Sequence, residues 1–100
     1  KNGKSYANKA LVMYVYENTL TYNRIGISVS KKNGNSVVRH TFVRKLREIF
    51  RLNKIEKKGL DIIVVVRVGA DVKDYHELES AYLHLLKSHR LDKEDVEENK

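Results

Sequence analysis

Lys31, Lys32, Arg39, His40, Arg44, Arg47 and Arg51 are the side chains of this sequence whose types and spacing suit chemistry, and that chemistry is anion binding. Between residues 31 and 58 ten Lys/Arg stand against two Asp/Glu, an excess of eight, whereas the whole chain carries only +7. The cationic charge is therefore concentrated in one stretch, the electrostatic footprint of nucleic-acid binding. Arginine suits the task because its planar fork grips phosphate oxygens bidentately and stays charged at any relevant pH. His40, Arg44, Arg47 and Arg51 recur at intervals of four, three and four, so on a helix turning about 100° per residue they share one narrow arc. Asn35 precedes them as a candidate N-cap, and the backbone N–H groups that open such a helix face an anion favourably. A merely solvated basic face is the competing reading, and periodicity alone leaves both open.

Other chemistries find no support in the residues. The sequence contains no P-loop, dinucleotide fingerprint or zinc spacing, and no cysteine, which suits a cytoplasmic location. The four histidines, at 40, 76, 84 and 89, are scattered, and the basic stretch holds only Glu48 and Glu56 as carboxylates. Neither a clustered-carboxylate metal site nor a His acid/base pair can be assembled from these residues, so we expect no catalytic residue and no metal ligand in the chain. A sequence pI near 9.7 calls for an anionic partner. Nucleic acid fits better than a membrane, because the basic helix lacks the bulky apolar stripe that an interfacial helix inserts and no apolar run is long enough to span a bilayer.

The elements that must position these groups follow from periodicity. Residues 1–5 read as a polar lead-in and residues 9–16 as a strand with faces Leu11, Met13, Val15 and Val12, Tyr14, Tyr16. Residues 17–22 read as a hairpin connection. Residues 23–30 alternate, with Ile25, Ile27 and Val29 toward a core and Arg24, Gly26, Ser28 and Ser30 opposite; the small groups admit close approach of a bulky ligand. Gly34 supplies positive φ in the turn 31–35, and a helix is predicted over 36–53 with an apolar stripe of Val38, Phe42, Leu46, Ile49 and Phe50. Gly59 is predicted to terminate the segment after it. Residues 60–68, almost continuously apolar, should be the most buried strand, with Arg67 emerging at its end. A second helix over 74–91, capped by Asp74 with Glu77, presents Tyr75, Leu78, Tyr82, Leu85, Leu86 and His89 to the core, with the polar tips of Tyr82 and His89 expected in water. The prediction is one domain over 1–91 and an acidic, flexible tail over 92–100.

The run from Arg24 to Arg51 resembles the protein component of bacterial ribonuclease P. The resemblance rests on a strand ending in Ser30-Lys31-Lys32, the Gly34-Asn35 turn, arginine at 39, 44 and 47 ahead of Glu48, and Phe50-Arg51. Upstream, Gly3-Lys4-Ser5 and Leu11-Val12-Met13-Tyr14 look like that family's preceding segment and first strand, and the strand ending at Arg67 looks like its last. The likeness extends over roughly residues 1–91. It departs from the family's habit at Ser36, where Ala is usual, at His40 for Asn, at Val43 for Lys and at Lys45 for Leu; the Val43 change removes a cation. The family's N-terminal helix, whose aromatics face the leader cleft, would precede residue 1.

The resemblance implies an α/β (α+β) two-layer sandwich with a four-stranded sheet, element order (α)βββαβα and a left-handed βαβ crossover, where ordinary handedness would have given the opposite. It implies the accessory subunit of an endoribonuclease, which binds a catalytic RNA and the 5′ leader of precursor tRNA while Mg2+ is held by RNA and substrate. On this reading Lys31, Lys32, Asn35, Arg39, His40, Arg44, Arg47 and Arg51 contact structured RNA. Tyr14, Ser28, Ser30 and Arg67 line a sheet-side groove for the single-stranded leader, with Tyr14 available for stacking. No protein partner and no membrane are required. The rivals are another basic RNA-binding module, ribosomal or double-stranded-RNA-binding, and a self-sufficient nuclease.

Overall fold

Five branched apolar residues in succession, 62–66, decide where the sheet is built, because a strand with apolar groups on both faces belongs between other strands. In the computed structural model, which describes residues 3–69 and 74–91, that strand does lie inside a four-stranded sheet. In chain order the elements are β1 (Lys4–Ala7), β2 (Leu11–Glu17), β3 (Arg24–Val29), a 3-10 turn at Lys31–Asn33, α1 (Ser36–Leu52), β4 (Leu60–Val66) and α2 (Tyr75–Ser88). The sheet order is β1-β2-β4-β3, with β4 antiparallel to β2 and parallel to β3.

Both helices lie on one face. Leu11 and Met13 of β2 and Leu60, Ile62, Val64 and Val66 of β4 form one buried cluster with Leu46 and Ile49 of α1 and Leu78, Tyr82, Leu85 and Leu86 of α2. Ile25, Ile27 and Val29 pack against it from β3, as the alternation predicts. Two layers thus share a single core, the α/β sandwich expected.

Several local expectations are corrected. Residues 4–7, read as a polar lead-in, form an edge strand whose side chains are all exposed. Residues 18–23 do not close a hairpin, since β4 separates β2 from β3. This connection instead bridges the start of β4: the Asn18 N–H donates to the Gly59 carbonyl at 2.8 Å, and Asn23 Oδ1 accepts from the Leu60 N–H at 2.9 Å. Gly59, at φ 80°, is a turn residue beneath the Leu20 carbonyl rather than a helix terminator. Helix α1 ends at Asn53, whose Nδ2 donates to the Ile49 carbonyl and to Glu79 Oε2. The strand read as 60–68 stops at Val66, and Ile63, which points away from the helices, is 37% exposed. The acidic stretch 92–100 lies outside the described residues.

Tyr82 corrects another expectation: it is 0% exposed, and its hydroxyl has no hydrogen-bond partner among the described residues. Desolvation there drives its pKa far above the ordinary tyrosine value. His89 likewise turns its Nε2 to the Met13 carbonyl at 3.1 Å rather than to water, and burial holds its pKa below the ordinary value. A buried hydroxyl without a partner costs desolvation that a phenyl ring does not. Tyr82→Phe should therefore raise unfolding stability, by about 1 kcal/mol, in urea denaturation; a lower midpoint would mean that the hydroxyl is satisfied in solution.

Candidate nucleic-acid interface

The turn after β3 sets the geometry of the basic surface. Ser30 Oγ accepts from the Lys32 N–H at 3.1 Å, and Asn33 Nδ2 reaches the Val66 carbonyl at 3.4 Å, tying the turn to the end of β4. Gly34 follows at φ 142°, where a Cβ would also strike the Val38 side chain at 2.9 Å. Asn35 then caps α1, its Oδ1 accepting from the Val38 N–H at 3.0 Å. This sequence of caps leaves Lys31 and Lys32 exposed just ahead of the helix start.

Along α1, Leu46 and Ile49 are buried and Phe42 and Phe50 partly so, while His40, Arg44, Arg47 and Arg51 are exposed. The apolar stripe fixes the rotation of the helix, and the rotation fixes the arginine ridge outward. Among the described residues the ridge meets one carboxylate, Glu48, 3.8 Å from Arg51 at i,i+3 with both side chains largely in water. A pair of that kind contributes little and screens easily. Arg39 differs: it is half-buried, and its Nε is enclosed without a partner among the described residues.

The sheet face opposite the helices forms the second half of the surface. Strand register arranges it in rows: Ala7, Val12, Val65 and Ser28; then Ser5, Tyr14, Ile63 and Gly26; then Tyr16, Asp61 and Arg24. No described element covers these residues, and none of them is fully buried. Among the described residues a Cβ at Gly26 would meet only Ile63, at an ordinary 3.9 Å, so the described fold does not demand glycine there. Tyr14 and Ser28 share this face, one row apart across β4. Ser30 continues from it into the Lys31 turn. Arg67 stands just past β4, one Nη1 bond reaching the Asn8 carbonyl at 3.1 Å and its own N–H bonded to Ala10. The sequence-derived residues therefore form two adjoining patches, a ridge on α1 and a sheet face, joined through Ser30 to Lys32. Reasoning from residues missed Val12, Ile63 and Val65 as part of the open face; the alternation of β2 carried the signal for Val12, while the unbroken apolar run of β4 concealed the other two.

Among the described residues one carboxylate lies on the open face. Asp61 accepts from Arg24 Nε and Nη2, each at 2.8 Å, and from Asn18 Nδ2 at 2.8 Å. The Arg24 fork first, then the Asn18 amide, hold its pKa down at about 2. No three His, Asp or Glu side chains come together as a metal site among the described residues.

The family model described as Ribonuclease P matches residues 1–90. The ribonuclease P protein component of Lachnoclostridium phytofermentans is 59% identical over 92 residues, which cover 91% of this chain and 79% of that protein. The corresponding protein of Clostridium botulinum strain 657 is 48% identical over 89 residues, covering 87% and 80%. Among solved structures, the RNase P protein of Staphylococcus aureus superposes with a TM-score of 0.81 at 37% identity, covering 89% of this chain and 83% of that one. The RNase P protein of Thermotoga maritima, solved in complex with 1-(4-fluorophenyl)-2-thiourea, gives 0.78 at 37% identity, covering 86% and 85%.

The Asp61 cluster makes a pH prediction. Its folded-state pKa lies below the ordinary 3.8, so its stabilisation is fully present above that value and is lost as pH falls through about 2. The difference in melting temperature between the wild type and Asp61→Asn should be constant from neutral pH to the ordinary value and shrink toward zero below it. A difference that persists unchanged in acid would show that Asp61 is not held by its ion pair.

Proposed function

The chain belongs to the bacterial ribonuclease P protein family, and from that membership we propose a division of labour between its two patches. As such a subunit it is the RNA-binding accessory part of a ribonucleoprotein endoribonuclease that processes tRNA. In our reading the α1 ridge, with Lys31, Lys32, Asn35, Arg39 and His40 at its head, binds the phosphate backbone of the catalytic RNA subunit. The open sheet face takes the single-stranded 5′ leader of precursor tRNA, with Tyr14 under a base and Ser28, Ser30 and Arg67 toward the backbone. Bond cleavage is then the task of the RNA, with Mg2+ held by RNA and substrate phosphates. The protein's cations assist by positioning those phosphates.

The observation that carries this reading is the exposed ridge of Arg44, Arg47 and Arg51 adjoining a sheet face that carries Tyr14 and Gly26 and that no described element covers. Among the described residues only Arg51 of these has an ion-pair partner, the weak, solvent-exposed Glu48, so the guanidinium groups are available to phosphate at little cost in broken ion pairs. An aromatic ring beside small residues lets a base stack closely without selecting its identity. A different basic RNA-binding module is not favoured, because the family match spans nearly the whole chain.

The test is reconstitution. The protein alone, given precursor tRNA and Mg2+, should cleave nothing, and cleavage without the RNA subunit would refute the accessory role. In the reconstituted complex Tyr14→Ala should weaken precursor tRNA binding about tenfold while leaving leaderless tRNA unaffected, as expected for one lost stacking contact. An equal loss for both substrates would remove Tyr14 from the leader site.

For the ridge, neutralising about five phosphates predicts that log affinity for the RNA subunit falls against log salt with a slope of roughly −3.5 to −4.5. Arg44→Ala and Arg47→Ala should each make that slope shallower by nearly one unit and leave thermal stability almost unchanged. A slope that does not respond, or a domain that unfolds, would make these arginines structural.

A further inference from the structure

One row beyond Tyr14, the open face carries a second aromatic ring in a built setting. Tyr16 follows Tyr14 by two residues on the same strand, so both rings leave the same face, about 6.7 Å apart along β2. Outward of the Lys4–Val15 pair, Gly3 comes opposite Tyr16, and the tyrosine ring leans over it. A Cβ at Gly3 would fall inside the Tyr16 ring, so the ring occupies the place a side chain would take. On the other flank Tyr16 pairs with Asp61, and Asp61 with Arg24, in the same row. The Arg24 fork spends Nε and Nη2 on Asp61 and keeps Nη1 for another acceptor.

We propose that Tyr16, leaning over Gly3 and flanked by the Arg24–Asp61 pair, is a second stacking platform that takes a further base of the single-stranded leader. This rests on the assignment of the leader to the sheet face. Physically, a ring settled against a glycine has given up its freedom before the ligand arrives, and that lowers the entropic cost of stacking. The spacing is one row, a step that an extended sugar–phosphate chain covers between adjacent bases. The ion pair beside it performs two tasks. It neutralises the carboxylate that would repel a phosphate, and it leaves a guanidinium N–H at the edge of the base or on the phosphate that follows. Gly26 in the Tyr14 row and Gly3 in the Tyr16 row keep both platforms low on the sheet, so successive bases lie side by side on one surface. The row order runs from Arg67 through Tyr14 to Tyr16, so the added position is the one farther from the basic turn. Tyr16 would therefore set how much of the leader the protein senses.

The experiment uses the complete complex with its RNA subunit and a series of precursor tRNAs whose leaders grow one nucleotide at a time. In the wild type, affinity should rise at the length that reaches Tyr14 and again when the next platform is reached, by about tenfold at the second step. Tyr16→Ala should abolish the second step and keep the first, while Tyr16→Phe should retain both. Gly3→Ala, which displaces the ring, should reduce the second step with Tyr16 itself unchanged. A second step that survives Tyr16→Ala overturns the proposal, and so does a loss equal at every leader length, which would mark Tyr16 as structural. A wild type that gains nothing from any leader overturns the sheet-face assignment as well, whereas a first step without a second overturns this inference alone.

Discussion

Parallel pairing of β3 with β4 is the constraint on which the rest of the molecule depends. Strands that run the same way and lie side by side require the chain to return across the sheet between them, and α1 makes that return. Its 17 residues span about 25 Å, against about 23 Å for the seven residues of β4, so helix and strand match in length and the two loops stay short. Once α1 is committed to the crossover, its apolar stripe must face the sheet and its arginine ridge must face water. The same connection places Lys31 and Lys32 at the carboxyl end of β3, where open α/β sheets commonly gather ligands. Helix α2 adds its apolar stripe to the same face, and the opposite face is left uncovered by described elements. A basic ridge and a bare sheet face are thus two consequences of one topological choice.

Local signals in the sequence were legible wherever neighbours in the chain decide the outcome. Asn35 caps α1 because a side-chain oxygen three residues ahead of Val38 needs nothing distant, and Asp74 caps α2 on the same terms, accepting from the Glu77 N–H. The alternation of Ile25, Ile27 and Val29 told which way β3 faces, and the spacing of Leu46 and Ile49 told how α1 is rotated. What stayed hidden depends on partners remote in sequence. The chain from 18 to 23 carries turn residues, and nothing in it reveals that β4 will insert between β2 and β3 some forty residues later. Strand β1 is polar and exposed, so only its register with β2 makes it a strand. The run 62–66 told that its strand is central and the most buried, but residues apolar on both faces do not say which of them, Ile63 and Val65 here, lie on the open one. Tyr82 was misread for a related reason: an aromatic on a core stripe shows its ring to periodicity but not the depth at which its hydroxyl stops.

The candidate site was legible in the same uneven way. Charge density survives any rearrangement of the chain, so the α1 residues could be named without coordinates. The sheet face is a different object, assembled from four strands and visible only as cross-strand rows. Tyr14 and Ser28 are fourteen residues apart and share a face because β4 lies between their strands. Gly26 has meaning there only beside Ile63, the one described side chain that a Cβ at this position would meet.

The two patches also differ in the physics available to them, and this difference supports the division of labour proposed for them. Exposed guanidinium groups act through a field that reaches roughly 10 Å in ordinary salt, tolerates imperfect fit and is indifferent to base sequence. Such a surface suits a large folded RNA whose phosphates present a broad target. Aromatic rings and glycines act only at contact, and they gain by excluding water from a flat face, which a base-paired helix cannot offer them. A single strand with splayed bases can. On the proposed reading the Arg24–Asp61 pair belongs to this second regime: by cancelling its own charge at the edge of the sheet, it would keep the field of the face from either repelling the leader or binding any polyanion indiscriminately. A chain that must hold one RNA firmly while sampling many short leaders gains from keeping these two modes on separate surfaces, so that changing the leader contacts leaves the grip on the larger partner intact.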